Sequence, residues 1–160
     1  MNAMRSDDKS FLLKAIQKAK DSIAAGGFPA GAIIVRDDEV VGEGISIGDK
    51  LNDPTSHGDV AAIREACRKL HSADLSGAVL YTSLQPCMMC FGASVNSSIS
   101  RIVFACSQVK VSPDYYGGRY LVSETSAELN RPLELVHFAE LEDESLALIH
   151  EWEKATGHKA

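Results

Sequence analysis

No stretch of this 160-residue chain is long and apolar enough to cross a bilayer: the longest apolar runs, Ala30 to Val35 and Ala78 to Tyr81, are of strand length. The N-terminal Met1-Asn2-Ala3-Met4-Arg5 lacks the apolar core of a signal peptide, so a cytoplasmic protein is expected and a membrane protein is not. Aromatic residues are scarce at 6%, with one tryptophan, Trp152. Positive charge is also short, 16 Lys and Arg against 22 Asp and Glu for a net charge of −6, and no Lys/Arg cluster is visible along the chain. A protein that grips a polynucleotide needs a basic surface to displace counterions, so a nucleic-acid partner is disfavoured unless a patch is assembled in space. Cysteines number four, at 67, 87, 90 and 106. In a reducing compartment the Cys87-x-x-Cys90 pair points to metal or redox chemistry and not to a disulfide scaffold. Cys67 and Cys106 read as small buried hydrophobes.

What is present is an ordinary globular composition, 45% apolar and 24% charged, in a length that supports one domain over residues 1–160. Phe11, Leu12, Ala15, Ile16, Ala19 and Ile23 recur at helical spacing after Ser6-Asp7-Asp8, whose acidic groups suit a helix N-terminus. Two β-type runs, Ala32 to Val35 and Val40 to Ile45, flank the polar turn Arg36-Asp37-Asp38-Glu39 and predict a hairpin. An amphipathic helix is expected from Ser56 to Leu70, a strand buried on both faces from Ala78 to Thr82, a helix from Cys87 to Asn96 and a strand from Arg101 to Ala105. The segment from Ser112 to Arg131 reads as loop with a short helix. A strand from Leu133 to His137 and a helix from Asp143 to Lys154 close the chain. This alternation predicts α/β architecture with helices on both faces of a mixed sheet.

His57 and the run Pro86-Cys87-Met88-Met89-Cys90 carry the chemistry. Three ligands of these types can hold a zinc ion and leave a fourth position open, as catalytic zinc sites do. Pro86 is expected in the first turn of a helix, with Cys87 and Cys90 three residues apart on one face and their thiolates stabilised by the helix N-terminus. The spacing of 30 positions from His57 to Cys87 fits one helix and strand. A thioredoxin-like redox motif is the rival for the C-x-x-C, and it leaves the His57 context unexplained.

The strings Gly27-Phe28-Pro29-Ala30-Gly31-Ala32, Asn52-Asp53-Pro54-Thr55-Ser56-His57, Ala61-Ala62-Ile63-Arg64 and Leu80 to Cys87 resemble the corresponding stretches of the cytidine and nucleobase deaminase superfamily, bacterial guanine deaminases and fungal cytosine deaminases in particular. The motif H-x-E…P-C-x-x-C of that superfamily is met here with Asp59 in place of Glu. The resemblance implies a three-layer α/β/α sandwich with a central five-stranded mixed sheet, a homodimer, and one Zn2+ per chain held by His57, Cys87 and Cys90. It implies hydrolytic loss of ammonia from a small amino-substituted ring, with the carboxylate at 59 moving the protons.

Asp59 is one methylene shorter than Glu, about 1.5 Å of reach, and a misplacement of about 1 Å can cost on the order of a hundredfold in rate. Where relatives carry an Asn for the base, this chain has Gly44-Ile45-Ser46-Ile47-Gly48, and Ser46 is the nearest substitute, without the paired donor and acceptor of an amide. Phe28 is placed to stack on a flat ring, Gly58 adjoins it beside His57, the Gln85 backbone carbonyl is implied as the acceptor of the leaving amine, and Trp152 is matched to a C-terminal lid. Tyr115-Tyr116-Gly117-Gly118 combines the features of a mobile loop and a stacking wall. A free nucleobase of the cytosine or guanine type is the expected substrate. The alternatives are tRNA adenosine, and a deaminase-fold binding protein weakened by Asp59.

Overall fold

Strand residues point alternately to opposite faces, and in this chain that alternation sets the layers. The structure is a computed structural model and describes residues 4–158. In β1 (Phe28–Arg36), Ile33 and Val35 enter one core while Ala32 and Ile34 enter the other. The Ile33 side is covered by α1 (Asp8–Ala24) through Phe11, Leu12, Ala15 and Ile16, with α6 (Glu142–Thr156) beside it. The Ile34 side is covered by α3 (Gly58–Leu70) through Ala62, Ile63 and Ala66, and by Phe91 of α4 (Met88–Asn96). Each fully buried Ile or Leu contributes roughly 1.5–3 kcal/mol of transfer free energy, so both stripes are needed to hold the sandwich.

The five-stranded sheet runs β2-β1-β3-β4-β5, where β2 is Glu39–Ser46, β3 Val79–Leu84, β4 Arg101–Cys106 and β5 Glu134–His137. Its β2, β1 and β3 strands are antiparallel in sequence, whereas β3, β4 and β5 are parallel. Parallel neighbours need a crossover, which α4 supplies between β3 and β4. All residues of β3 and β4 are buried, as expected for strands covered on both faces. The hairpin turn holds Asp37 and Asp38 at φ 52° and 60°, left-handed positions that aspartate tolerates and that match the twist of the flanking strands.

One feature departs from the sequence expectations. Asp8 does open α1, but its side chain is fully buried: it accepts from Tyr81 Oη at 2.8 Å and from the two terminal nitrogens of Arg101 at 2.8 and 2.7 Å. Burial alone would raise its carboxyl; hydrogen bonds from Arg101, the Arg5 amide and Tyr81 outweigh that and hold it below the ordinary value. The segment from Ser112 to Arg131 is loop with a short helix, as expected, here α5 at Val122–Ala127 after a 3-10 turn at Pro113–Tyr116, and a single-turn α2 at Gly48–Leu51 precedes α3. No helix among the described residues is long and apolar enough to cross a membrane.

Candidate metal centre and its cleft

The carboxyl end of β3 meets the N-termini of α3 and α4, the position where open α/β sheets collect ligands. His57 is the N-cap of α3 in extended conformation, φ −74° and ψ 158°, and Cys87 is the N-cap of α4, φ −72° and ψ 173°. Pro86 therefore lies one residue before the cap and not in the first turn as the sequence suggested. Its fixed φ directs the extended Cys87, and the helical hydrogen bonds begin with the Phe91 amide on the Cys87 carbonyl at 2.8 Å.

The start of α3 is seated directly on strand backbone. A Cβ on Gly44 would fall 2.0 Å from the Gly58 carbonyl oxygen, and one on Gly42 would fall 2.3 Å from that of Ala62. Only hydrogen fits there, which lets the helix carry His57 and Asp59 down to the end of β3. Ser46 Oγ accepts the Gly58 amide at 3.0 Å, satisfying one of the donors that a helix N-terminus leaves open, and the Ser46 amide is in turn held by Ser22 Oγ at 3.0 Å. Ahead of His57, Asp53 accepts from the Thr55 amide at 2.9 Å and its hydroxyl at 2.6 Å, and Arg64 ties back to Thr55 at 2.8 Å.

His57 Nδ1 lies 3.6 Å from Cys87 Sγ and 3.6 Å from Cys90 Sγ, and the three ligand atoms are all within 4.8 Å of one another. Zinc bonds of about 2.3 Å to sulfur and about 2.0–2.1 Å to nitrogen at a tetrahedral angle require a nitrogen–sulfur edge of about 3.6 Å, so this donor set fits zinc with Nδ1 as the histidine ligand atom. The two thiols share a hydrogen bond that poises one of them as the thiolate. A hydrogen bond from Cys90, helped by His57, draws the Cys87 thiol well below its ordinary value, while the same sharing and burial push Cys90 up. His57 is raised by its hydrogen bond to Cys87.

Asp59 sits in the first turn of α3, 7% exposed, on the wall of a cleft of about 400 Å³ that the metal group also lines. Burial pushes its carboxyl up to about 6 against the lowering influence of Thr82, whose hydroxyl donates to the Leu84 carbonyl at 3.0 Å. Every other sequence-nominated contact lines the same cleft: Phe28, Ser46, Gly58, Gln85 and Trp152. The Gln85 side-chain oxygen accepts the Gln108 amide at 3.0 Å, and its backbone carbonyl faces the cleft side of the metal turn. That carbonyl also accepts from Tyr116 Oη at 2.6 Å.

The mouth is aromatic. Phe28 meets Tyr115 at 5.0 Å and Trp152 at 5.2 Å, both edge to face, and His158 approaches Trp152 at 5.1 Å. Tyr115 Oη donates to Glu153 at 2.6 Å, which fastens the segment after β4 to α6. Sequence reasoning missed Thr82 and His158, which line the cleft as well, whereas Tyr115 and Tyr116 fall in the stretch it marked as a stacking wall. Thr82 sits in a strand buried along its whole length, and His158 reaches the mouth through a chain reversal that no local pattern announces.

The family described as Cytidine and deoxycytidylate deaminase zinc-binding region matches residues 5–106. Among curated relatives, a tRNA-specific adenosine deaminase of Aquifex aeolicus is 40% identical over 100 residues, 62% of this chain and 66% of the relative. A guanine deaminase of Bacillus subtilis is 34% identical over 117 residues, 72% of this chain and 75% of the relative. The chain thus spans slightly under two thirds of the length of the first and three quarters of the second. A solved structure from work on A-to-I editing by tRNA:A34 deaminases superposes with a TM-score of 0.76 at 26% identity, covering 88% of this chain and 99% of that one.

Proposed function

This chain belongs to the cytidine and deoxycytidylate deaminase family, and from that premise we propose that it removes the amine from a small free heterocycle by hydrolysis. The net change exchanges a ring C–NH2 for C=O, consumes water and releases ammonia. When bound, zinc supplies a water acidic enough to act as the nucleophile near neutral pH.

The protein's own residues supply the rest. Asp59, buried on the cleft wall, accepts the proton that water gives up, hands one to the ring nitrogen and later one to the departing amine. A carboxyl pushed up to about 6 is suited to both taking and returning a proton near neutrality. The Gln85 carbonyl, with one lone pair on Tyr116, keeps the other for an N–H of the amine. The Ser46 oxygen is engaged by the Gly58 amide, so its hydroxyl proton is the group it has left to offer a ring acceptor.

The observation that carries the free-ring reading is the aromatic mouth. Phe28, Tyr115 and Trp152 draw together around the entrance from three separate parts of the chain, which favours a flat detached ring over a base presented on a polynucleotide. Three of the residues lining the mouth, Tyr115, Trp152 and His158, lie beyond the family's matched residues 5–106. Deamination of tRNA adenosine is the second reading. The first curated relatives favour it over the free base, since three of them are tRNA-specific adenosine deaminases.

The experiment is ammonia release from cytosine, guanine and other amino-heterocycles, beside inosine formation in an anticodon stem-loop carrying adenosine, with Asp59 and Asp59→Glu enzymes in parallel. Turnover of a free ring and none of the RNA is the expected result. The reverse result establishes the tRNA reading. Activity confined to the Glu variant identifies the chain as a weakened deaminase fold.

A further inference from the structure

The segment that follows β4 returns to the metal turn and grips its backbone on both sides of Cys87. Tyr116, 7% exposed, donates its hydroxyl to the Gln85 carbonyl at 2.6 Å, two residues before the thiolate ligand. Tyr120 accepts the Met88 amide at 2.8 Å, one residue after it. The two rings brace each other edge to face at 6.4 Å. Gln108 completes the frame: its amide donates to the Gln85 side chain at 3.0 Å, and its own side-chain amide donates to the Tyr120 carbonyl.

We infer that Tyr116 and Tyr120 are positioning residues that fix the Cys87 thiolate against the metal from either side of its peptide. The reason is local. Cys87 is an extended N-cap, so its own carbonyl starts the helical ladder but the flanking Gln85 carbonyl and Met88 amide have no place in that ladder. The Gln85 amide bonds the Cys106 carbonyl at 2.8 Å, and the two tyrosine hydroxyls take the Gln85 carbonyl and the Met88 amide. With both sides tied, the Cα–Cβ vector of Cys87 is held by hydrogen bonds that metal binding does not have to create. Groups that orient a ligand without touching the metal commonly set metal affinity as well. Both tyrosines lie outside residues 5–106, so this brace is not part of the matched zinc-binding region.

The inference rests on the zinc assignment and not on the choice of substrate, and its test contains no substrate. The full chain is prepared with zinc as wild type, Tyr116→Phe, Tyr120→Phe and Tyr115→Phe, and zinc release to a chromophoric chelator is timed. The cobalt-loaded forms of the same proteins are compared by their thiolate-to-metal and d–d absorption bands. Release about 10- to 100-fold faster and displaced cobalt bands are expected for Tyr116→Phe or Tyr120→Phe. Tyr115→Phe, which loses only the Glu153 bond on the same segment, leaves release and bands where they are. Wild-type release and bands in both the 116 and 120 variants would overturn the inference, and so would an equal change in the Tyr115 control, which would mark general loosening of the segment. Removing a single hydroxyl keeps the packing, and unchanged far-ultraviolet dichroism verifies that each variant is folded.

Discussion

Phe28, at the start of the first strand, and Trp152, in the last helix, meet edge to face with ring centroids 5.2 Å apart across the mouth of the cleft. This contact joins the two ends of the fold over the site where the ring is proposed to bind.

Trp152→Ala is therefore expected to raise KM for a free heterocycle about two- to tenfold, since a ring contact of this kind contributes roughly 0.5–1.5 kcal/mol. Zinc content stays at its wild-type value because Trp152 touches none of His57, Cys87 or Cys90. Steady-state kinetics read the effect. A wild-type KM would remove Trp152 from substrate contact.

Loss of any metal ligand is expected to empty the site. In Cys87→Ala or Cys90→Ala the zinc measured by atomic emission falls from about one per chain to near zero, since three ligands are the minimum seen for a retained catalytic zinc. In the wild type, affinity falls as pH drops, because Cys90, whose thiol is raised by sharing with Cys87 and by burial, must lose its proton to bind. Full zinc retention in either variant would sink the assignment.

The third expectation concerns the far end of the sheet. Asp8 has a folded-state carboxyl held below its unfolded value of 3.8, despite burial, by Arg101, Arg5 and Tyr81. A depressed carboxyl contributes stability that is fully present above the unfolded value and is lost as pH falls through the folded one. Asp8→Asn should cost on the order of 3–5 kcal/mol at pH 7, the usual effect of leaving one partner of a buried pair behind. The gap between variant and wild type should narrow as pH falls below about 4. Urea unfolding at stepped pH measures both, and a gap independent of pH would show that Asp8 does not act through its charge.

The layered fold was legible because it rests on periodicity. Ile33 and Val35 against Ala32 and Ile34, and the helical stripe of Phe11, Leu12, Ala15 and Ile16, are patterns a sequence displays. The metal group was legible for a different reason, the pairing of a spaced Cys87 and Cys90 with a histidine one helix and strand earlier. Contacts between residues far apart in the chain were hidden. Asp8 and Arg101 are 93 positions apart, and nothing local distinguishes Asp8 from an ordinary helix-opening acid. Proline suits N1, which predicts Pro86 two positions further into its helix than it lies, because here the extended Cys87 takes the cap. The substrate was the least legible. The acidic balance disfavours tRNA adenosine, whereas the first curated relatives are tRNA-specific adenosine deaminases, and net charge reports on the whole surface and not on any one cleft.

Tyr115 and Tyr116 are neighbours in sequence with opposite allegiances: one holds Glu153 at the mouth, the other the Gln85 carbonyl beside the metal turn. Selection for a new ring could replace Tyr115 at little cost to the chemistry, but replacing the whole segment would forfeit Tyr116 as well. Divergence within this architecture would then proceed by single substitutions interleaved among fixed positions, and a chimera made by exchanging the segment between relatives would inherit a new entrance together with a loosened metal.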